Sequence, residues 1–76
     1  MIGVMWYDNR GSPLEEIVAL AAKRYRAKFG RRATLALVHP AMVDEPRDME
    51  IDGAVVRVEP AGHMLPGHML VGEANA

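Results

Sequence analysis

One segment of this 76-residue chain has a strong helical pattern, and a single helix leaves few ways to cover a core. The segment runs from Ser12 to Gly30, and its apolar residues recur at helical spacing to form one stripe. The stripe consists of Leu14, Ile17, Val18, Ala21, Tyr25 and Phe29. Ser12, Pro13 and Glu15 are spaced as N-cap, first helical residue and partner in a capping box, and Gly30 is typical of a helix end. The sequence therefore predicts a helix over residues 13–29.

Three further segments have the patterns of strands. The segment IGVMWYD near the N-terminus alternates between two faces. One face would carry Ile2, Val4 and Trp6, and the other would carry Met5 and Tyr7. ATLALV, at residues 33–38, is apolar at nearly every position, as in a central strand that is covered on both faces. HMLVG, at residues 68–72, is largely apolar and would form the last strand.

The segment MEIDGAVVRVE contains a strong turn signal. Asp52 and Gly53 suit the two central positions of a type I′ turn, which joins two antiparallel strands directly. The resulting register would pair Met49 with Val56 and Ile51 with Ala54 on one face, and Asp48 with Arg57 and Glu50 with Val55 on the other. The opposite charges of Asp48 and Arg57 favour this hairpin.

Together the elements predict an α/β or α+β fold with one domain over residues 1–76. The order would be β-α-β-β-β, with one helix packed on a small mixed sheet of four to five strands. The first strand, the helix and the second strand would form a right-handed crossover, followed by an antiparallel meander. One helix covers only one face of such a sheet. Because apolar residues occur on both faces, we expect a second copy of the chain or another protein to cover the second face.

The residues that alternate away from the helix define the predicted interface. Met5 and Tyr7 would lie on the sheet face opposite the helix, whereas Val4 and Trp6 would face the core. We expect a non-catalytic interaction module that forms homo-oligomers through this face. A chain of this length has a core worth about 3–5 kcal/mol, so a bound partner would add useful stability.

The end of the helix gives an alternative function. Six basic residues lie close together there: Lys23, Arg24, Arg26, Lys28, Arg31 and Arg32. Such clusters are typical of proteins that contact the phosphates of nucleic acids. On the helical wheel, however, Tyr25 and Phe29 belong to the apolar stripe and are not free to stack on bases. The net charge of −1 also disfavours nucleic acid, so we keep nucleic-acid binding as the alternative.

Three histidines are the candidate ligands of a metal site, which would be a third function. They are His39, His63 and His68, and two of them lie in the repeated segment GHMLPGHML. Zinc needs three or four converging ligands, which without cysteine must be histidine, aspartate or glutamate, and a three-histidine site would need every histidine of the chain. A Pro-Gly hairpin turn would leave His63 and His68 about 7–8 Å apart as diagonal neighbours. We therefore interpret residues 62–67 as a surface loop and expect no metal and no cofactor.

The acidic residues do not form a catalytic pattern. Asp44, Glu45, Asp48, Glu50 and Asp52 are close in sequence, and paired carboxylates hold Mg²⁺ or act as acid and base in enzymes. Asp52, however, is better explained as the turn residue. The sequence has no phosphate-binding glycine loop and no serine-histidine-aspartate pattern. We therefore expect that the protein is not an enzyme and assign no catalytic residue.

Composition and hydropathy predict a location. The chain has no cysteine, which fits a reducing compartment. No run approaches the roughly 18 apolar residues of a membrane span. The N-terminal residues lack the basic start and the apolar core of a signal peptide. The sequence therefore predicts a cytoplasmic protein that does not associate with membranes.

Overall fold

The computed structural model describes residues 3–8 and 10–74. Its elements are β1 (Gly3–Tyr7), α1 (Leu14–Phe29), β2 (Leu35–Val38), β3 (Arg47–Ile51), β4 (Ala54–Pro60) and β5 (His68–Gly72). The predicted fold class, one helix on a small mixed sheet, is confirmed. The sheet has the larger of the two predicted strand numbers, so the chain order is β-α-β-β-β-β, with one strand more than the predicted order. Ile2 of the predicted first strand lies outside the described residues.

The helix α1 occupies the predicted segment but begins differently. Its first residue is Leu14, because Pro13 has an extended ψ of 146° and acts as the N-cap. The Pro13 carbonyl accepts hydrogen bonds from two N–H groups of the first helical turn, both at 3.1 Å. Among the described residues no side chain caps α1. The predicted capping box of Ser12 and Glu15 is therefore wrong, since Ser12 precedes the cap by one residue.

The other end of α1 follows the prediction. Gly30 has a φ of 72°, in the left-handed region that glycine adopts without strain. Its N–H donates to the Arg26 carbonyl at 2.8 Å and closes the last turn. The helix has 16 residues, and in the described part of the chain no helix is long and apolar enough to cross a membrane.

The β3–β4 hairpin has the predicted register. Met49 pairs with Val56, Ile51 with Ala54, Asp48 with Arg57, and Glu50 with Val55. Asp52 and Gly53 both have positive φ, 51° and 79°, as a type I′ turn requires. Nη1 of Arg57 lies 3.5 Å from the carboxylate of Asp48 across the strands. A two-residue turn signal is therefore enough to set the register here.

The strand order in the sheet is β1-β5-β2-β4-β3. β5 lies between β1 and β2 and is antiparallel to both, whereas β2 and β4 are parallel neighbours. The predicted meander is therefore wrong, because only β3 and β4 are consecutive strands that also pair. β2 and β5 have no acidic or basic side chain other than a histidine and take inner positions, while the charged strand β3 lies at an edge.

The core lies between α1 and one face of the sheet. It contains Ile17, Val18, Ala21 and Tyr25 of the helix and alternate strand residues such as Ala36, Val38, Met49, Val56, Val58, Met69 and Val71. Val4 and Trp6 pack against this cluster. Leu35 and Leu37 point to the opposite face and are only half-buried, so the prediction that this strand is covered on both faces is wrong. The reason is that α1, the helix of the described chain, covers one face alone.

Candidate interaction surface

The part of the chain that the structure describes leaves the sheet face opposite α1 accessible to solvent, and we call it the open face. Its side chains are those of Met5, Tyr7, Leu35, Leu37, Asp48, Glu50, Val55, Arg57, Glu59, His68 and Leu70. Met5 is 57% exposed and Tyr7 is 56% exposed. Both residues therefore lie where their alternation with Val4 and Trp6 predicts. Large exposed apolar side chains that share one surface are typical of interaction sites.

The open face is divided into an apolar half and a charged half. β1, β5 and β2 form the apolar half, where the neighbours Met5, Leu70 and Leu37 make a row across three strands. β4 and β3 form the charged half, which carries Asp48, Glu50, Arg57 and Glu59. Arg57 lies between two of these acids, with Nε 2.9 Å from Glu59 and Nη1 3.5 Å from Asp48. The charged half thus has three carboxylates against one guanidinium.

Tyr7 and His68 form an aromatic pair at one end of the apolar half. They are direct cross-strand neighbours, with ring centroids 4.6 Å apart and ring planes inclined by 43°. Nδ1 of His68 lies 3.1 Å from the carbonyl oxygen of Pro66. The neutral ring therefore donates through Nδ1 and keeps its lone pair on Nε2. Together the two rings extend the apolar half beyond the row of Met5.

The other two candidate metal ligands do not join His68. His63 lies exposed in the loop between β4 and β5. Nδ1 of His39 accepts a hydrogen bond from the Ala41 N–H at 2.9 Å, so the proton of the neutral ring is on Nε2, which then has no lone pair for a metal. Within residues 3–8 and 10–74, no group of three or more histidine, cysteine, aspartate or glutamate side chains is placed to hold a metal ion.

The repeated letters GHML have a structural explanation. In each copy the glycine lies in a turn and the methionine, Met64 or Met69, is buried, although only Met69 belongs to the core between α1 and the sheet. The turn between the copies is closed by the His68 N–H, which donates to the Leu65 carbonyl at 3.1 Å, and Gly67 has a φ of 78°. This is the geometry of a type II turn. The predicted surface loop therefore buries one of its own methionines, Met64.

The loop between β1 and α1 is held by Asp8. Its carboxylate accepts hydrogen bonds from Nη2 of Arg10 at 2.9 Å and from the Arg10 N–H at 2.8 Å. These two bonds, with a smaller contribution from Ser12, hold the pKa of Asp8 below its usual range. The loop is therefore fixed by the contacts between Asp8 and Arg10.

The six basic residues of the alternative function do not share one surface. Lys23 and Arg26 lie along one side of α1 and, with Arg32, line a groove of about 290 Å³ beside the β3–β4 hairpin. Arg24 and Lys28 lie along the other side of α1, beside β1. The helix therefore separates these cations into two groups.

Arg31, the sixth basic residue, belongs to a cluster that the sequence does not reveal. Its Nε donates to Oε1 of Glu73 at 2.6 Å, and the hydroxyl of buried Tyr25 donates to the same oxygen at 2.7 Å. The hydrogen bond from Tyr25 and then that from Arg31 hold the pKa of Glu73 below its usual range. Glu73 lies 48 positions after Tyr25, so no local pattern links them.

We expect the Glu73→Gln variant to melt a few degrees below the wild type at pH 7. Because the folded-state pKa of Glu73 is lowered, the stability that the carboxylate contributes is present above its usual pKa and is lost as the pH falls through the folded value. The difference in melting temperature should therefore shrink as the pH approaches about 3. Melting curves followed by circular dichroism at several pH values measure it.

Glu45→Gln is the matched control, since Glu45 is exposed in the loop before β3. Its melting temperature should follow that of the wild type at every pH. A Glu73→Gln deficit that is equal at pH 7 and at about pH 3 would contradict the role of the carboxylate charge.

Comparisons with protein-family models, with curated proteins and with solved structures found no match for this chain. The described residues present three candidate surfaces for function: the open face, the groove beside the hairpin and the groove beside β1.

Proposed function

We propose that this protein is a non-catalytic module that associates with a second copy of itself through the open face. The observation that carries the proposal is the exposure of Met5 and Tyr7, more than half of each residue, beside half-buried Leu37 and Leu70. Protein interfaces commonly have an apolar centre and a polar rim. The apolar half and the charged half of the open face have this division.

A second copy suits the apolar half on grounds of charge. In a symmetric dimer the same patch of both subunits meets about a two-fold axis. If the axis passes through the apolar half, Met5 and Leu70 of one subunit cover those of the other. The carboxylates of the two charged halves then lie at opposite rims, where like charges do not meet.

The size of the molecule sets the expected strength of this dimer. Its two longer extents are 29 and 24 Å, so a broad side of the molecule has a flat area of at most about 700 Å², and the apolar half is a part of that area. Stable interfaces typically bury about 800 Å² on each partner. Apolar burial contributes roughly 25 cal/mol per Å² before the costs of association. We therefore expect a reversible dimer with a dissociation constant in the micromolar range.

Nucleic-acid binding, the alternative, has weaker support. Phosphate backbones are bound by several cations that act together, whereas α1 separates Lys23 and Arg26 from Arg24 and Lys28. Arg31 is already paired with a carboxylate. The charged half of the open face adds negative charge to a second side of the molecule.

Light scattering tests the proposed dimer. At high micromolar concentration the wild type should have about twice the chain mass of 8.4 kDa, and the mass should fall on dilution. Met5→Glu and Tyr7→Glu should each shift the mass to that of the monomer. An unpaired carboxylate that is buried in the interface loses its hydration, at a cost of several kcal/mol.

The matched control is Leu20→Glu, which makes the same kind of change on the outer side of α1, where Leu20 is 37% exposed. This variant should keep the dimer mass, and circular dichroism should show that all variants retain the helix. A wild type that stays monomeric at every concentration would exclude the proposal. Dissociation by Leu20→Glu, with no effect of Met5→Glu, would place the interface on the helix instead.

A further inference from the structure

The outer edge of β1 is a second surface, distinct from the open face. β1 pairs with β5, and no other strand of the described chain lies beside it. Natural proteins protect sheet edges with charged side chains or proline, because a free edge pairs readily with another strand. β3, at the opposite edge, carries Arg47, Asp48 and Glu50. β1 has the sequence GVMWY, with no charge and no proline, and is therefore an unprotected edge.

The register identifies the backbone groups that are free at this edge. The Asp8 N–H donates to the Gly67 carbonyl at 3.0 Å, and this pair continues the β1–β5 register. In an antiparallel pair, hydrogen-bonded positions alternate with non-bonded ones. Trp6 and Val4 therefore also bond to β5. The residues that direct their N–H and C=O groups outward are Gly3, Met5 and Tyr7.

A positively charged groove runs beside the free edge. It lies between residues 3–6 and α1, has a volume of about 830 Å³, and is lined on the helix side by Arg24, Ala27 and Lys28. Among the ion pairs of the described residues, none includes Arg24 or Lys28. The edge therefore combines free hydrogen-bonding groups with two cations that have no acidic partner in the described chain.

We propose that β1 binds an extended acidic segment of a partner protein by strand addition. In this mode the backbone groups of the edge supply hydrogen bonds, and alternate side chains of the added strand supply specificity. Every second side chain of the added strand points to the helix side, towards Arg24 and Lys28, and the others lie beside Met5 and Tyr7. A segment in which acidic and apolar residues alternate matches both sides.

A second copy of the chain is a poorer occupant of this edge. Two β1 strands paired about a two-fold axis would bring both Arg24 side chains and both Lys28 side chains to the same seam. Like charges that meet at an interface are unfavourable, whereas an acidic segment neutralises them. Strand addition at the β1 edge is also independent of the proposed dimer. A second copy on the open face leaves the backbone groups at the side of the sheet accessible.

Two synthetic peptides test strand addition. One alternates glutamate and valine over six residues, and the other alternates lysine and valine. Titration onto the ¹⁵N-labelled protein should shift the amide signals of Met5 and Tyr7. We expect the glutamate peptide to bind about tenfold more tightly than the lysine peptide, and its affinity to fall as salt is added. A glutamate peptide that is N-methylated at every residue has no N–H donors and should not bind.

Variants of the protein distinguish two contributions to peptide binding, that of the backbone groups of β1 and that of the basic side chains in the groove. Met5→Pro removes an N–H that points outward, so the ladder with β5 stays intact while the edge is blocked. Met5→Ala keeps that N–H. We expect the Met5→Pro variant not to bind the glutamate peptide and the Met5→Ala variant to bind it as the wild type does. Arg24→Gln combined with Lys28→Gln should weaken binding about tenfold, while Lys23→Gln combined with Arg26→Gln, on the other side of α1, should leave it unchanged.

Four results would overturn the inference. They are equal binding of the glutamate and lysine peptides, unchanged binding of the N-methylated peptide, unchanged binding to a folded Met5→Pro variant, and absence of glutamate-peptide binding to the wild type at millimolar concentration. The peptide comparisons use the unchanged protein and therefore decide the question even if Met5→Pro does not fold.

Discussion

Replacing Gly3 by alanine is expected to disturb the pairing of β1 with β5 and to remove a large part of the stability of the fold. A Cβ atom at Gly3 would collide with the backbone carbonyl of Val71, the neighbour on β5. The clashing atoms belong to the backbone and not to the flexible end of a side chain, so a side-chain rotation cannot remove the clash. Forcing extra atoms into a packed position costs about 1–3 kcal/mol. The whole core of a chain of this size is worth about 3–5 kcal/mol.

Urea denaturation at a fixed protein concentration measures this loss. Trp6, the one tryptophan of the chain, lies on β1, so its emission reports whether that strand stays packed. Gly62→Ala is the matched control, because a Cβ at Gly62 would have no neighbouring atom within 4 Å. That variant should lie within about 0.5 kcal/mol of the wild type. A Gly3→Ala variant with the wild-type midpoint would contradict the close approach of β1 and β5.

Elements with a local signal are predictable from the sequence. The β3–β4 hairpin depends on Asp52 and Gly53, and once both adopt positive φ the register of every pair follows. The end of α1 at Gly30 depends in the same way on one residue. In both cases the decisive interaction joins residues within a few positions of each other.

The start of α1 shows how a local signal is overruled. Ser12 has the spacing of an N-cap, but Asp8 binds both the backbone and the side chain of Arg10 and also interacts with Ser12. Pro13 has an extended conformation, so the helix begins at Leu14 and Ser12 lies one residue before the cap. The backbone conformation of Pro13 is a feature that hydrophobic periodicity does not contain.

The strand order is not predictable from alternation. Alternation tells which residues share a face, but β5 is the last strand of the chain and inserts between β1 and β2. Its position depends on non-local pairing, and the sequence pattern of residues 68–72 would fit several neighbours equally well. The prediction of a meander assumed that strands consecutive in sequence also pair, and this holds only for β3 and β4.

The candidate surfaces also differ in whether they follow from local sequence patterns or from non-local strand pairing. The exposure of Met5 and Tyr7 follows from period-two alternation together with a single helix, so the open face was predictable. The free edge of β1 was not, because it exists only if β1 is an outer strand. The cluster of Glu73, Tyr25 and Arg31 also depends on the packing of the last strand against α1.

The second large loss of stability is expected from a substitution within the segment GHMLPGHML. Met69 is 1% exposed and pairs with Trp6 on one side and Val38 on the other, whereas Leu65 is 64% exposed in the loop. Met69→Ala should cost about 2–5 kcal/mol through lost burial and the cavity that remains. This range overlaps the roughly 3–5 kcal/mol expected of the whole core, so a substantial fraction of the variant should be unfolded at room temperature. Leu65→Ala, a similar truncation four residues earlier, should change stability by less than about 0.5 kcal/mol. Circular dichroism and urea midpoints distinguish the two variants. Equal midpoints for Met69→Ala and Leu65→Ala would contradict the conclusion that the buried methionines of this segment stabilise the fold.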